Sequence, residues 1–358
     1  MSTPSHSYRL QWKGAAGVLL GPGVFALLLG SALALMGRSG ILPRPWPVSD
    51  MDRTIVLHQA AAAERASAAD VLLLGDSACL LDIRADLLSR MLRRRVLSLA
   101  TLSYLRADAQ EVLLRRYLEN ARRRPEIILI AFHPDSLRWP RSEKYYLDLM
   151  ADWWAGRLPR ESARGRRGPR WPGTDDLKYR LLSRVFVHPV PASFFPCYGF
   201  TRSIWRWMET HGGSLAACGS TGTVGGAQRE WRLSPATVRA GRSLAGAVPD
   251  GCWLAVALAP VPAGHGGRNP AAALRQLLAG WAAALSADMV MDGLPLVLPA
   301  SLFSDQAHLN RRGAVLYSRL VGQILLRRLS RGSALAAAGE AAVTPVPRAG
   351  AASRPLPR

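Results

Sequence analysis

Residues 70–77 read Asp70-Val71-Leu72-Leu73-Leu74-Gly75-Asp76-Ser77. The apolar run is too short for a helical stripe and too continuous for a half-exposed strand. It suits a strand buried on both faces, as in a parallel sheet. Outward from it the pattern alternates. Leu87, Leu88, Met91 and Leu92 recur at helical spacing, and a second short apolar run covers 96–99. Asp108 with Glu111 has the form of a capping box, and the helix that follows carries Val112, Leu113, Leu114, Tyr117 and Leu118 before Pro125. Residues 127–132 and 253–258 are two more β-like runs, and 294–298 suggests a short fifth strand. Ser234-Pro235 opens one helix. Asn269-Pro270 opens another with Leu274, Leu277, Leu278, Trp281 and Leu285, and Ala314, Tyr317, Leu320, Val321, Ile324 and Leu325 mark a last one. Strands alternating with helices predict an α/β sandwich with a mostly parallel sheet. In such sheets ligands bind beyond the carboxyl ends of the strands.

The chain has 358 residues, with 46 Lys+Arg against 25 Asp+Glu and a formal charge of +21. Lys13, Lys144 and Lys178 are its only lysines, so the base content is almost all arginine. Apolar residues make up 49%, which excludes wholesale disorder. Four cysteines cannot staple a disulfide-dense scaffold of this length. CxxC, HExxH and GxxxxGK[ST] are absent, which removes the common zinc and P-loop patterns. The arginines are spread along the chain, so nucleic acid is a weaker expectation than an acidic polymer or an anionic membrane surface.

Residues 15–36 carry no charge over 22 positions, long enough to span a bilayer. They read as a transmembrane anchor after a tail at 1–14, or as a signal peptide with Arg9 and Lys13 ahead of it and Ala32-Leu33-Ala34 as a cleavage site. Either reading exports the rest. The bases flanking the span do not decide its orientation. A connector is expected at 37–69, the α/β domain at 70–330, and a disordered tail at 331–358. Residues 133–233 interrupt the alternation with tryptophans, arginines and glycine-rich turns, and read as an insertion serving as a lid or mobile loop.

Two motifs lie at the ends of the alternating pattern. Gly75-Asp76-Ser77 follows the first strand, and Asp305-Gln306-Ala307-His308 precedes the last helix. A serine hydroxyl needs a base to take its proton, and His308 is that candidate. Asp305, three residues earlier, is placed to hold the other ring N–H. Cys79 stands where a GxSxG elbow would need glycine, which argues against an ordinary α/β-hydrolase. The pair of motifs resembles the SGNH/GDSL hydrolase family. The flanks Val71–Ile83 and 303–314 look more like its membrane-anchored branch, associated with O-acylation of extracellular polysaccharides and cell-wall polymers.

The resemblance covers about 70–135 and 250–328. It implies a three-layer α/β/α, flavodoxin-like sandwich, a Ser77–His308–Asp305 triad and no cofactor or metal. Two family blocks differ here. Ser103 falls where a glycine would donate to the oxyanion, and Pro134 falls where an asparagine would, leaving His133 as a substitute donor or a structural residue. The expected function is an exported serine esterase or O-acyltransferase on acyl esters, acetyl foremost, of a glycan or cell-wall polymer, with a multi-span acyltransferase as a possible partner. The alternatives are an inactive SGNH-like module that binds polymer or a partner, and a basic nucleic-acid-binding protein.

Other residues are weighed more plainly. Cys197 and Cys218 are disulfide candidates, and Cys79 and Cys252 are core thiols. Trp153, Trp154, Trp171, Trp205, Trp207 and Trp231 either stack on sugars or pack the core. His188 and His265 have no ligand-spaced partner, and neither is assigned to a metal.

Overall fold

A computed structural model describes residues 12–38, 51–139, 141–157, 201–217, 230–265 and 269–342, excepting the side chains of 12–19, 33, 34, 36–38, 201, 202 and 331–342. Cys197, Cys218, Trp171 and His188 lie outside the described residues.

Helices α1 (Trp12–Arg38) and α2 (Met51–Glu64) come first. Then follow β1 (Val71–Gly75), α3 (Ser77–Asp82), α4 (Ala85–Leu92), β2 (Val96–Ser98), α5 (Ala107–Asn120) and β3 (Ile127–Phe132). A 3-10 turn (Pro134–Arg138), α6 (Lys144–Trp154), α7 (Thr201–Thr210) and α8 (Pro235–Gly246) occupy the next hundred residues. The chain returns through β4 (Trp253–Leu258), β5 (Val261–Pro262), α9 (Pro270–Leu285), β6 (Met289–Val290), β7 (Val297–Leu298) and α10 (Arg311–Ala342).

The central sheet has the order β2-β1-β3-β4-β6, with every pair parallel. Val71 lies opposite Val96 on one side and Ile127 on the other, and Ile127 lies opposite Trp253. Every residue of β1 and β3 is buried, which is why their sequences are continuous apolar runs. Helices form two contact groups. One links α2, α5, α8 and α9, and the other sets α10 on α3 and α4. These are the layers of an α/β/α sandwich. The strand order reverses between β1 and β3, so a crevice opens beyond their carboxyl ends.

Several expectations are corrected. The segment 294–298 is not the fifth strand of the main sheet. Its residues 297–298 pair with β5 in a separate two-stranded sheet. The edge of β4 is taken by β6, where Asp288 N–H reaches Leu254 O at 2.9 Å and Met291 N–H reaches Val256 O at 2.9 Å. Asp108 is not a cap: Arg106 holds the N-cap position of α5, and the Asp108 carboxylate takes the backbone N–H and hydroxyl of Ser142.

The expected connector contains α2, whose residues 54–63 are buried without a break. Thr54, His58, Gln59 and a run of alanines leave no apolar stripe to read. Yet the alanines admit close neighbours, and α5, α6 and α7 all pack on this helix. Gln59 donates its amide to Ala100 O at 2.7 Å and Gly213 O at 3.0 Å. Described parts of the expected insertion also join the core through Leu149, Met150, Trp153, Ile204, Trp205, Met208 and Trp231. The tail expected to be disordered continues as helix to Ala342.

Helix α1 spans 27 residues and contains the expected anchor. Its described side chains include exposed Leu20, Val24, Phe25, Leu27, Leu28, Leu29 and Leu35. Among the described residues no helix is long and apolar enough to cross a membrane.

Candidate active site

The site begins at the end of β1. Gly75 has φ +154°, and a Cβ there would collide with Ala131 O of the adjoining strand β3. Only glycine lets the two strands end this close. Gly75 N–H donates to Gln110 Oε1 at 3.2 Å, and its carbonyl accepts Thr101 N–H at 2.9 Å. Asp76 is fully buried. One of its oxygens accepts Ala78 N–H at 3.0 Å and so caps α3, while the other accepts His133 N–H at 2.9 Å. The aspartate therefore clips the carboxyl ends of β1 and β3 together and sets Ser77 as the first residue of α3.

The other half is a tight loop before α10. Asp305 Oδ1 accepts the N–H groups of Ala307 at 2.7 Å and His308 at 2.9 Å. Ser304 N–H closes on His308 O at 2.9 Å. Asn310 caps α10 by accepting from Arg312 and Gly313 N–H, both at 3.1 Å. Asp82, at the far end of α3, accepts Leu309 N–H at 2.8 Å and moors the loop to the helix that carries Ser77.

Ser77, Asp305 and His308 meet as a consequence. His308 Nδ1 lies 2.9 Å from Asp305 Oδ2, and His308 Nε2 lies 2.9 Å from Ser77 Oγ. A carboxylate only accepts, so Nδ1 carries the ring proton and Nε2 offers its lone pair to the serine hydroxyl. Burial, the largest influence on His308, pulls its pKa down. The Asp305 hydrogen bond and charge, with Asp82 and Asp76 behind it, outweigh that and leave it raised. Burial pulls Asp305 up, but the bonds from His308 and the loop N–H groups hold it below the usual range. An imidazolium formed by proton transfer to His308 would thus be stabilised where it arises.

Ser77 and His308 open on a cleft of about 240 Å³. Ser103 and His133 line it, with Arg106, Trp139, His265 and Gln306. His133 Nδ1 accepts Asp135 N–H at 3.3 Å, which places the neutral ring's proton on Nε2. That atom is buried with no hydrogen-bond partner. Burial drives the pKa of His133 down to about 4, so the ring is neutral at physiological pH. Cys79 is buried, and burial followed by the charges of Asp76 and Asp82 keeps it a thiol. Cys252 is likewise buried, its pKa pushed up to about 12 by burial and then by Asp288.

Asp82, Arg106, Gln306 and His265 belong to this site and went unread as site residues. Gln306 sits within the second motif and Asp82 within the flank of the first. Arg106 and His265 lie outside them, and nothing in the local pattern marks either. Among the described residues no group of three or more His, Cys, Asp or Glu is placed to hold a metal ion. Of the tryptophans weighed for sugar stacking, Trp153, Trp205 and Trp231 are buried, while Trp139, unweighed, is 58% exposed at the cleft. Compared with known protein families and with characterised proteins, the chain matches none.

Proposed function

We propose that this protein is an SGNH-type serine esterase or O-acyltransferase that works through Ser77, His308 and Asp305. The observation that carries the reading is the relay itself: 2.9 Å from Ser77 Oγ to His308 Nε2, and 2.9 Å from His308 Nδ1 to Asp305. In this reading His308 takes the hydroxyl proton as Ser77 Oγ bonds to the ester carbonyl carbon. The carbonyl oxygen becomes an oxyanion. Ser77 N–H, first in its helix and without an intrahelical acceptor, and the unpartnered His133 Nε2–H supply donors to it. When the intermediate collapses, His308 returns the proton to the departing alcohol oxygen and the acyl group stays on Ser77. Water or a sugar hydroxyl then gives its proton to His308 and bonds to the acyl carbon, and as the acyl–Oγ bond breaks His308 returns that proton to Ser77 Oγ.

Export supports a glycan or cell-wall ester, acetyl foremost, as substrate. Exposed apolar side chains on α1 are costly in water and favour a lipid neighbour for that helix. Trp139, largely exposed at the cleft, offers a face for a sugar ring. The test is labelling of the full-length protein with a fluorophosphonate probe, followed by peptide mapping. The expected result is an adduct on Ser77 that vanishes in His308→Ala. A folded protein that carries no adduct would overturn the reading and leave a binding module of the same fold.

A further inference from the structure

Arg106 is the one lysine or arginine lining the cleft among the described residues. Its Nε is buried and has no hydrogen-bond partner. Among the described residues no carboxylate lies at ion-pair distance from its guanidinium; Glu143 acts on it only through its charge, and three other carboxylates nearby are engaged elsewhere. Asp76 spends both oxygens on Ala78 and His133. Asp108 is held by Ser142 and Ala109. Asp135 accepts Trp231 Nε1 at 3.2 Å. Burial lowers the pKa of Arg106, with Asp76, Asp108 and Glu143 opposing, but a guanidinium stays charged in a protein. A half-buried cation without a partner costs stability unless something pairs with it. A guanidinium fork matches a carboxylate in two parallel bonds, a geometry that a neutral sugar or acetyl group cannot return.

We propose that Arg106 binds a carboxylate of the substrate, so that the ester presented to Ser77 belongs to an acidic molecule. This rests on the esterase reading above and names its substrate class. The carboxylate has two sources. It is carried on the acyl chain, as in a dicarboxylic half-ester, or on the alcohol side, as in a uronic-acid polymer.

Two substrate pairs separate them on the full-length protein. Turnover of 4-nitrophenyl hydrogen glutarate is compared with 4-nitrophenyl acetate, and that of O-acetylated polygalacturonate with O-acetylated xylan. In Arg106→Gln the acidic-to-neutral ratio of kcat/KM is expected to fall about 10- to 100-fold in one pair, which identifies the side that bears the charge. Arg106→Lys keeps the charge and loses the fork, and is expected to lie between; it also serves if the glutamine variant does not fold. Equal losses on both members of both pairs would overturn the proposal. Binding of oligogalacturonate, of glutarate and of neutral xylo-oligosaccharide to Ser77→Ala gives a readout that needs no turnover. An Arg106-dependent preference for either acid, with Ser77 unlabelled by the phosphonate, would sink the esterase reading and keep this one. No preference for either acid there, with Ser77 labelled, would do the reverse.

Discussion

In the proposed mechanism Ser77 reacts only when His308 is neutral, and Asp305 decides when that is. Because the folded pKa of His308 is raised above its ordinary 6.5, kcat/KM is expected to climb with pH and level off past a midpoint above that value. Asp305→Asn removes the charge that raises it. The midpoint should move down, and kcat should fall by a factor on the order of 10⁴, the scale seen when a triad carboxylate is neutralised. A profile flat from pH 5 to 9 would exclude His308 as the base. His133 has a separate signature. If its Nε2–H serves only the oxyanion, His133→Ala should lower kcat by about 10²-fold while KM moves little. A change confined to KM would instead make it a substrate contact.

At the scale of elements, the site depends on where two strands stop. The collision of any Cβ at Gly75 with Ala131 O is with backbone, which cannot swing aside as a side chain would. Gly75→Ala is therefore expected to separate β1 from β3 and to cost several kcal/mol, much of a typical stability of about 5–15 kcal/mol. Thermal melting checks this: a midpoint within about 2 °C of the native protein's would show that the strands tolerate the group. The sequence shows Gly75 as the start of a motif that follows a strand. That it also bears the close approach of β3 was hidden, since Ala131 is 56 residues away. The second motif was legible for the same local reason. Asp305 and His308 share one turn, and their bond needs nothing from the rest of the chain.

For the whole molecule, α2 is part of the core rather than a lead-in to it. Ile55, Val56 and Leu57 are fully buried, and burying side chains of this size contributes roughly 1.5–3 kcal/mol each. A fragment beginning at residue 45 is expected to unfold cooperatively in urea, and one beginning at residue 66 to be unfolded from the start. Equal midpoints would show α2 to be dispensable. The core also carries a pH liability. Burial, then Arg65, depresses His58 to about 3, and burial depresses His133 to about 4. The unfolded chain takes up these protons near 6.5, so the share of stability that depends on these two neutral rings is full above that pH and declines as pH falls toward 4. His58→Phe keeps the edge-on contact with Trp205, whose ring centroid is 5.0 Å away, and cannot protonate. Urea midpoints at pH 7 and pH 5 should then lie closer together than in the native protein.

What the chain determined by itself are features written in neighbouring residues. These are the buried parallel strands, recognisable as unbroken apolar runs, the helices with apolar faces, the glycine that ends β1, and the Asp305–His308 turn. What only the tertiary structure decided are the properties that join distant positions. Ser77 and His308 are 231 residues apart, and the clips by Asp76 and Asp82 that bring them together are hydrogen bonds from distant backbone N–H groups to carboxylates, with no sequence pattern. The burial of α2, the pairing of 297–298 with β5 rather than the main sheet, and the unpaired Arg106 in the cleft belong to the same class. Burial and hydrogen-bond partnership are set by everything that packs around a group, and periodicity reports only the group's own element.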